Sequence, residues 1–185
     1  LAILHTGSCY LLSDLMSTYP AYIHAWTQTD RLALALNFQE NNFDFFNPAT
    51  YSLLTKDGVT QVDFPIHDYL AACISSFLKL ELVPVFRMYN LIYSLIGVFF
   101  FFRLTLLVTK SSMRSLFAGS FLFTLPFFVY YQNGFLPSIP SFSNFLIALY
   151  FIKKNNSNKR LKHFNLAIFF LTLAALARSP YFIFL

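Results

Sequence analysis

The chain has 185 residues, 57% of them hydrophobic and 11% charged, with 25 phenylalanines and a mean hydropathy of +0.56. A soluble domain carries about 25% charged residues, so this composition excludes the ordinary soluble class and points to a membrane protein. The net charge of +5 reflects an uneven distribution, not a basic surface for nucleic acid: all eight carboxylates lie at or before Glu81, and ten of the thirteen Lys and Arg lie at or after Arg87.

Residues 1–25 are mildly apolar and carry His5, Asp14 and Pro20. They are expected to be the end of a first span and the start of a loop. The chain begins on Leu1 and its last five residues, "YFIFL", lie inside an apolar run, so a longer gene product with further spans is expected. Cys9 and Cys73 lie far apart and in no C-x-x-C pattern, which suits inert packing thiols.

Residues 26–84 are the polar part, too long for a simple connector. Two short helices are expected in it. The first opens at "TQTDRLALALNFQEN", where Thr27 and Asp30 fit a capping box. At 100° per residue Asp30, Asn37 and Asn41 share one face, a polar strip for an aqueous cleft. "FDFFNP" (43–48) ends this helix, and "TKDGVTQ" (55–61) reads as a polar turn. The second helix starts near Pro65, a natural first-turn residue. Ile66, Tyr69, Leu70, Cys73 and Phe77 form its apolar stripe; Asp68, Ala72, Ser75 and Lys79 form the other face, with His67 beside it. Asp63 precedes this helix, where a carboxylate is favoured electrostatically. Both helices are expected to lie in the membrane interface with their polar faces solvated.

Residues 88–108 make the first convincing span, with Arg87 at one end and Arg103 able to snorkel toward the interface at Lys110. Residues 115–152 hold no Asp, Glu, Lys, Arg or His. As one helix they would reach about 57 Å, against a hydrocarbon core of about 30 Å. They must fold back, and "YYQNGFLPSIPS" (130–141) supplies the break through Gly134, Pro137 and Pro140. Spans are therefore expected at 115–131, 140–152 and 164–185, the last interrupted by "RSP" at 178–180. The fold class is an all-α, multi-pass transmembrane protein.

"KSSMR" (110–114) and "KKNNSNKRLKH" (153–163) hold seven Lys and Arg and no acid, so the positive-inside rule makes both cytoplasmic. Counting crossings puts residues 26–84, the 130–141 turn and Arg178 on the outer face. Ionisable groups then gather there: Asp30, Asp63, His67 and Asp68. Carboxylates and histidine suit a general base; a cation, Arg178 or a metal, suits a phosphate. The spacing is no recognised metal motif, so a divalent cation stays an open possibility.

The motifs "WTQTDRLALA", "FFNP" and "DFPIHDYL", followed by Arg87 in "VFRMYNLIYSLIG", resemble those of GT-C class membrane glycosyltransferases. Within that class the likeness is to the protein mannosyltransferase and aminoarabinose transferase-like group, over residues 26–152 and on to Arg178. The resemblance implies an enzyme of the plasma or inner membrane that moves a sugar from a dolichyl- or polyprenyl-phosphate donor to an envelope glycan, lipid or protein acceptor on the outer face. It implies Asp30 as the base and Arg178 on the donor phosphate; Asp63 and His67 are expected as further catalytic groups that orient the acceptor or bind a cation. Asp68, Asn37 and Arg87 would support them. Many relatives carry an acid near Ser138, whereas the 130–141 turn here has none. The rival class is a lipid or polysaccharide transporter or flippase, which would place ionisable groups inside several spans; a non-catalytic assembly subunit is a third reading.

Overall fold

The computed structural model describes residues 16–20, 24–52, 58–60 and 63–185. The expected first span and most of the 55–61 turn lie outside the described residues. Among the described residues the chain is all-α, with an isolated antiparallel bridge between Ala49 and Val59 as the only extended pairing.

Helix α1 is Ala25–Glu40 and α2 is Ile66–Leu78. The expected capping box does not form. Ala25 and Trp26 are already helical after a left-handed His24, so Thr27 lies inside the first turn and no side chain caps it. Asn42 and Phe43 take positive φ and end α1, with the Phe43 amide donating to Phe38 O at 2.8 Å. Phe38, Phe43, Phe45, Phe64 and Tyr69 then stack mostly edge-to-face and close the link between the two helices.

The polar face of α2, expected to be solvated, is mostly covered by protein: His67, Asp68, Ala72 and Ser75 are buried, while Lys79 at its end and Phe77 (86%) and Ile74 on the other side are exposed. The cause is the partners that α1 supplies. Gln39 donates to Ala72 O and Ser75 Oγ, and Arg31 pairs with Asp68, so the polar face is satisfied inside the protein.

Helix α3, Leu82–Thr109, starts earlier than expected because Pro84 is tolerated in a first turn. Arg87 therefore sits within the helix instead of marking its end. Its 28 residues span about 42 Å, and α3 is long and apolar enough to cross a membrane. The expected span at 115–131 is broken: α4 (Ser112–Thr124) and α5 (Pro126–Gln132) meet at a 63° bend, where Pro126 has no amide to continue the ladder. Helix α6, Ser138–Asn158, outruns its expected range at both ends, because Pro140 lies in its first turn and the lysines stay helical. Helix α7, Leu161–Ala177, stops before Arg178, which is extended at φ −148°, and a 3-10 helix, Ser179–Phe184, follows.

Helix α6 packs between α3 and α7. Gly97 of α3 lets the two backbones close up, since an added Cβ would lie 2.9 Å from Ser143 Cβ. The interior is polar for so apolar a chain: Asn90, Ser94, Gln132, Ser143 and Asn144 are fully buried. Met88, Ile92, Phe99, Phe117, Phe121 and Phe169 point outward.

Candidate functional site

The 130–138 turn is held from two sides. Arg87 Nη1 donates to Asn133 O and its Nη2 to Thr18 O, with the guanidinium 4.7 Å over the Phe135 ring. Asn90 Nδ2 donates to Gly134 O at 2.6 Å. From α1, Gln28 Oε1 accepts the Phe135 amide and its Nε2 reaches Tyr130 Oη. A Cβ on Gly134 would lie 2.8 Å from Gln28 Oε1, so an alanine there would displace the Gln28 amide from its place. A turn between apolar helices carries unpaired backbone groups; here α1 and α3 pair them and so fix the position of Ser138.

Against this turn lies a cleft of about 490 Å³ lined by His24, Thr27, Tyr131, Leu136, Ser138, Arg178, Pro180 and Tyr181. Arg178 gets there because α7 ends on alanines. Ala174, Ala175 and Ala177 are fully buried, and the extended Arg178 turns away from the helix axis. Its Nη2 donates to Ser138 Oγ at 3.0 Å, while its Nε is buried with no hydrogen-bond partner. Among the described residues no carboxylate pairs with Arg178; both ion pairs belong to Arg31. A serine stands where an acid would neutralise the guanidinium, which leaves its charge available to an anion. Through Tyr131, Ser138 and Tyr181 the cleft adjoins a second one of about 510 Å³, walled by Leu122, Leu125, Phe127, Phe128, Ile139 and Phe142. A cationic floor thus opens onto an apolar trough.

The acidic candidates separate into two kinds. Asp30 is exposed on α1, three residues on from the cleft-lining Thr27, and has no hydrogen-bond or ion-pair partner among the described residues. Asp63 and Asp68 both belong to Arg31, whose Nη2 lies 3.5 Å from Asp63 Oδ2 and whose Nη1 lies 3.2 Å from Asp68 Oδ2. Asp63 is part-exposed, whereas Asp68 is buried with Oδ1 unpartnered. Burial raises the Asp68 carboxyl to about 6, opposed by Arg31.

His67 is buried and not solvated. Its Nδ1 lies 2.7 Å from Tyr89 Oη, its ring meets Tyr93 edge-on, and Nε2 has no partner. Burial, and then the Arg31 charge, lower it to about 4, so it is neutral near pH 7. It does not line the cleft. Asn37 accepts from Asn41 on the outer face of α1, and Arg87 is the turn's anchor. No group of three metal-ligating side chains occurs among the described residues.

Sequence reasoning passed over Arg31 and Gln28. Arg31 was legible in principle as a cation directly before the apolar "LALAL" run, the kind that seeks an internal partner; Gln28, inside the polar "TQTD", was not. The aromatic walls Tyr131 and Tyr181 carry no comparable signal. Comparison with family models, with curated proteins and with solved structures finds no match to this chain.

Proposed function

We propose that the chain belongs to a multi-pass membrane glycosyltransferase that moves a sugar from a polyprenyl-phosphate donor to an acceptor on the outer face of the membrane. The observation that carries this reading is the Arg178 cleft: a partly unpaired guanidinium beside a hydroxyl, opening directly onto a trough of Leu, Ile and Phe. That combination suits a ligand with an anionic head and a hydrocarbon chain. The outward apolar side chains and buried amides support a membrane setting for the helix bundle.

In this reading Asp30 takes the proton of an acceptor hydroxyl or amine. The freed lone pair attacks the anomeric carbon, the bond from that carbon to the phosphate oxygen breaks, and the lipid phosphate leaves with its charge held by Arg178. Asp63 stands by as a second carboxylate; His67 supports from inside the fold. The transporter reading has less behind it, because apart from Arg87 and His163, each in the first turns of its helix, the polar groups buried along the bundle are amides and hydroxyls.

The decisive experiment is Asp30→Asn in the full-length protein, assayed for turnover of lipid-linked sugar. The expected loss is about 10²–10⁴-fold in kcat with unfolding unchanged, since Asp30 has no hydrogen-bond or ion-pair partner among the described residues. Normal transfer at normal expression would refute the assignment.

A further inference from the structure

Arg31 stands at the centre of the site without lining its cleft. It follows Asp30 on α1, bonds the buried Asp68 of α2 at 3.2 Å, and reaches the part-exposed Asp63 of the preceding loop at 3.5 Å. Arg178 lies within electrostatic reach of all three groups. Stability alone is a poor reason to bury such a pair. The desolvation of two charges offsets most of their attraction, and well-packed apolar residues of similar volume serve as well or better. The neighbouring Leu32, Leu34 and Ala35 show that apolar packing is accepted at this helix interface. A forked guanidinium does something they cannot: it fixes two carboxylates in one plane and one spacing.

We infer that Arg31 is the positioning residue of this site: anchored on Asp68, it fixes the rotation of α1 behind Asp30 and holds Asp63 on the Arg178 side. Asp68 is the fixed end of the chain of charges and Asp63 the presented end. The Gln39 bonds to Ala72 O and Ser75 Oγ set the same two helices further along. Arg31 is thus the contact nearest the reacting end and, among the described residues, the only one between α1 and α2 that carries charge.

The kinetic part of the test rests on the transferase reading; the exchange part does not. In full-length protein in nanodiscs, Arg31→Gln is expected to lower kcat by about 100-fold with donor KM within about twofold, the signature of misplaced groups rather than lost binding. Arg31→Lys keeps the charge but not the fork and recovers less than about a tenth of the activity. Asp68→Asn falls by about tenfold, and the double variant is no worse than Arg31→Gln because the two act as one unit. Amide exchange over residues 63–69 rises by about tenfold in Arg31→Gln, while that of α3 stays as it was. A kcat per folded molecule equal to wild type, or losses that multiply in the double variant, would overturn the inference. If the wild-type protein transfers no sugar, the functional reading fails on its own and the exchange measurement decides alone. Unchanged exchange over 63–69 then sinks the positioning role.

Discussion

Arg178 Nη2 donates to Ser138 Oγ at 3.0 Å, joining the end of α7 to the first residue of α6. The neutral partner directs the guanidinium without cancelling it. Hydrogen bonds to charged groups contribute about 1.5–3 kcal/mol, so Arg178→Ala is expected to lower kcat/KM for a lipid-phosphate donor by about 10–150-fold. Arg178→Lys should lie between, keeping the point charge and losing the second donor. Ser138→Ala should cost about tenfold or less. Transfer assays with the full-length protein, beside thermal unfolding, separate these effects from misfolding.

Two adjacent buried groups in α2 give opposite pH dependences. Asp68 is raised from 3.8 to about 6, so between those values the folded state holds more protons than the unfolded one, and stability falls as pH rises. His67 is lowered from 6.5 to about 4, so in that window the folded state holds fewer protons, and stability rises with pH. Each shift corresponds to about 3 kcal/mol, and the windows overlap, with Arg31, Tyr89 and Arg178 as the neighbouring groups. Wild-type stability should therefore be nearly flat from pH 4 to 6. His67→Gln should lose stability as pH rises through that range, and Asp68→Asn should gain it. Unfolding midpoints measured against pH would test the pair. A steep wild-type profile with both variants parallel to it would contradict the compensation.

The helix faces were readable in the sequence; that protein covers the polar face of α2 was not. The stripe of Ile66, Tyr69, Leu70, Cys73 and Phe77 is real, and so is the polar set opposite it. What decides between water and protein as the polar side's partner is the presence of Arg31 and Gln39 on another helix, a tertiary fact with no local signal. Two helix breaks were easier, because the 133–137 turn and Arg178-Ser179-Pro180 act through their own backbone chemistry, whereas the break at Pro126 falls inside an expected span. Helix lengths were underestimated where prolines fall in first turns, at Pro84 and Pro140. Of the candidate site, Arg178 stands out in the sequence and lines the cleft, whereas Asp30 lies three residues on from the lining Thr27. The burial of His67 and the pairing of Asp63 depend on packing that periodicity cannot encode.

The buried polar face of α2 predicts where this helix is sensitive to substitution. Ser75 Oγ donates to Leu80 O and accepts from Gln39 Nε2, and the residue is buried. Ser75→Leu would strand both groups and overfill the contact, at a cost of about 2–4 kcal/mol. Phe77→Ser, 86% exposed on the other side, should change stability in detergent by about 0.5 kcal/mol or less. The same change should weaken retention in a bilayer if that face meets hydrocarbon. Thermal unfolding in detergent and membrane fractionation give the two readouts. An ordinary surface helix would show the reverse, with the serine silent and the phenylalanine sensitive.

The closest helix contact gives the last prediction. Gly97 on α3 faces Ser143 on α6, and a Cβ there would lie 2.9 Å from Ser143 Cβ and 3.1 Å from its Cα. Ser143 is fully buried and its Oγ donates to Tyr93 O at 2.8 Å, one turn before the glycine. Neither neighbour has free space to yield: one is backbone, and the other is held by a hydrogen bond. Gly97→Ala should force α3 and α6 apart and destabilise the bundle by about 1–3 kcal/mol, despite the better helix propensity of alanine. Ser143→Gly in the same chain should recover most of that loss, since it removes the atom that collides. Ser143→Gly alone should cost only its hydrogen bond and helix propensity, about 1–2 kcal/mol. A double variant less stable than the sum of the singles, measured by thermal unfolding, would show that the contact does not limit the packing of these two helices.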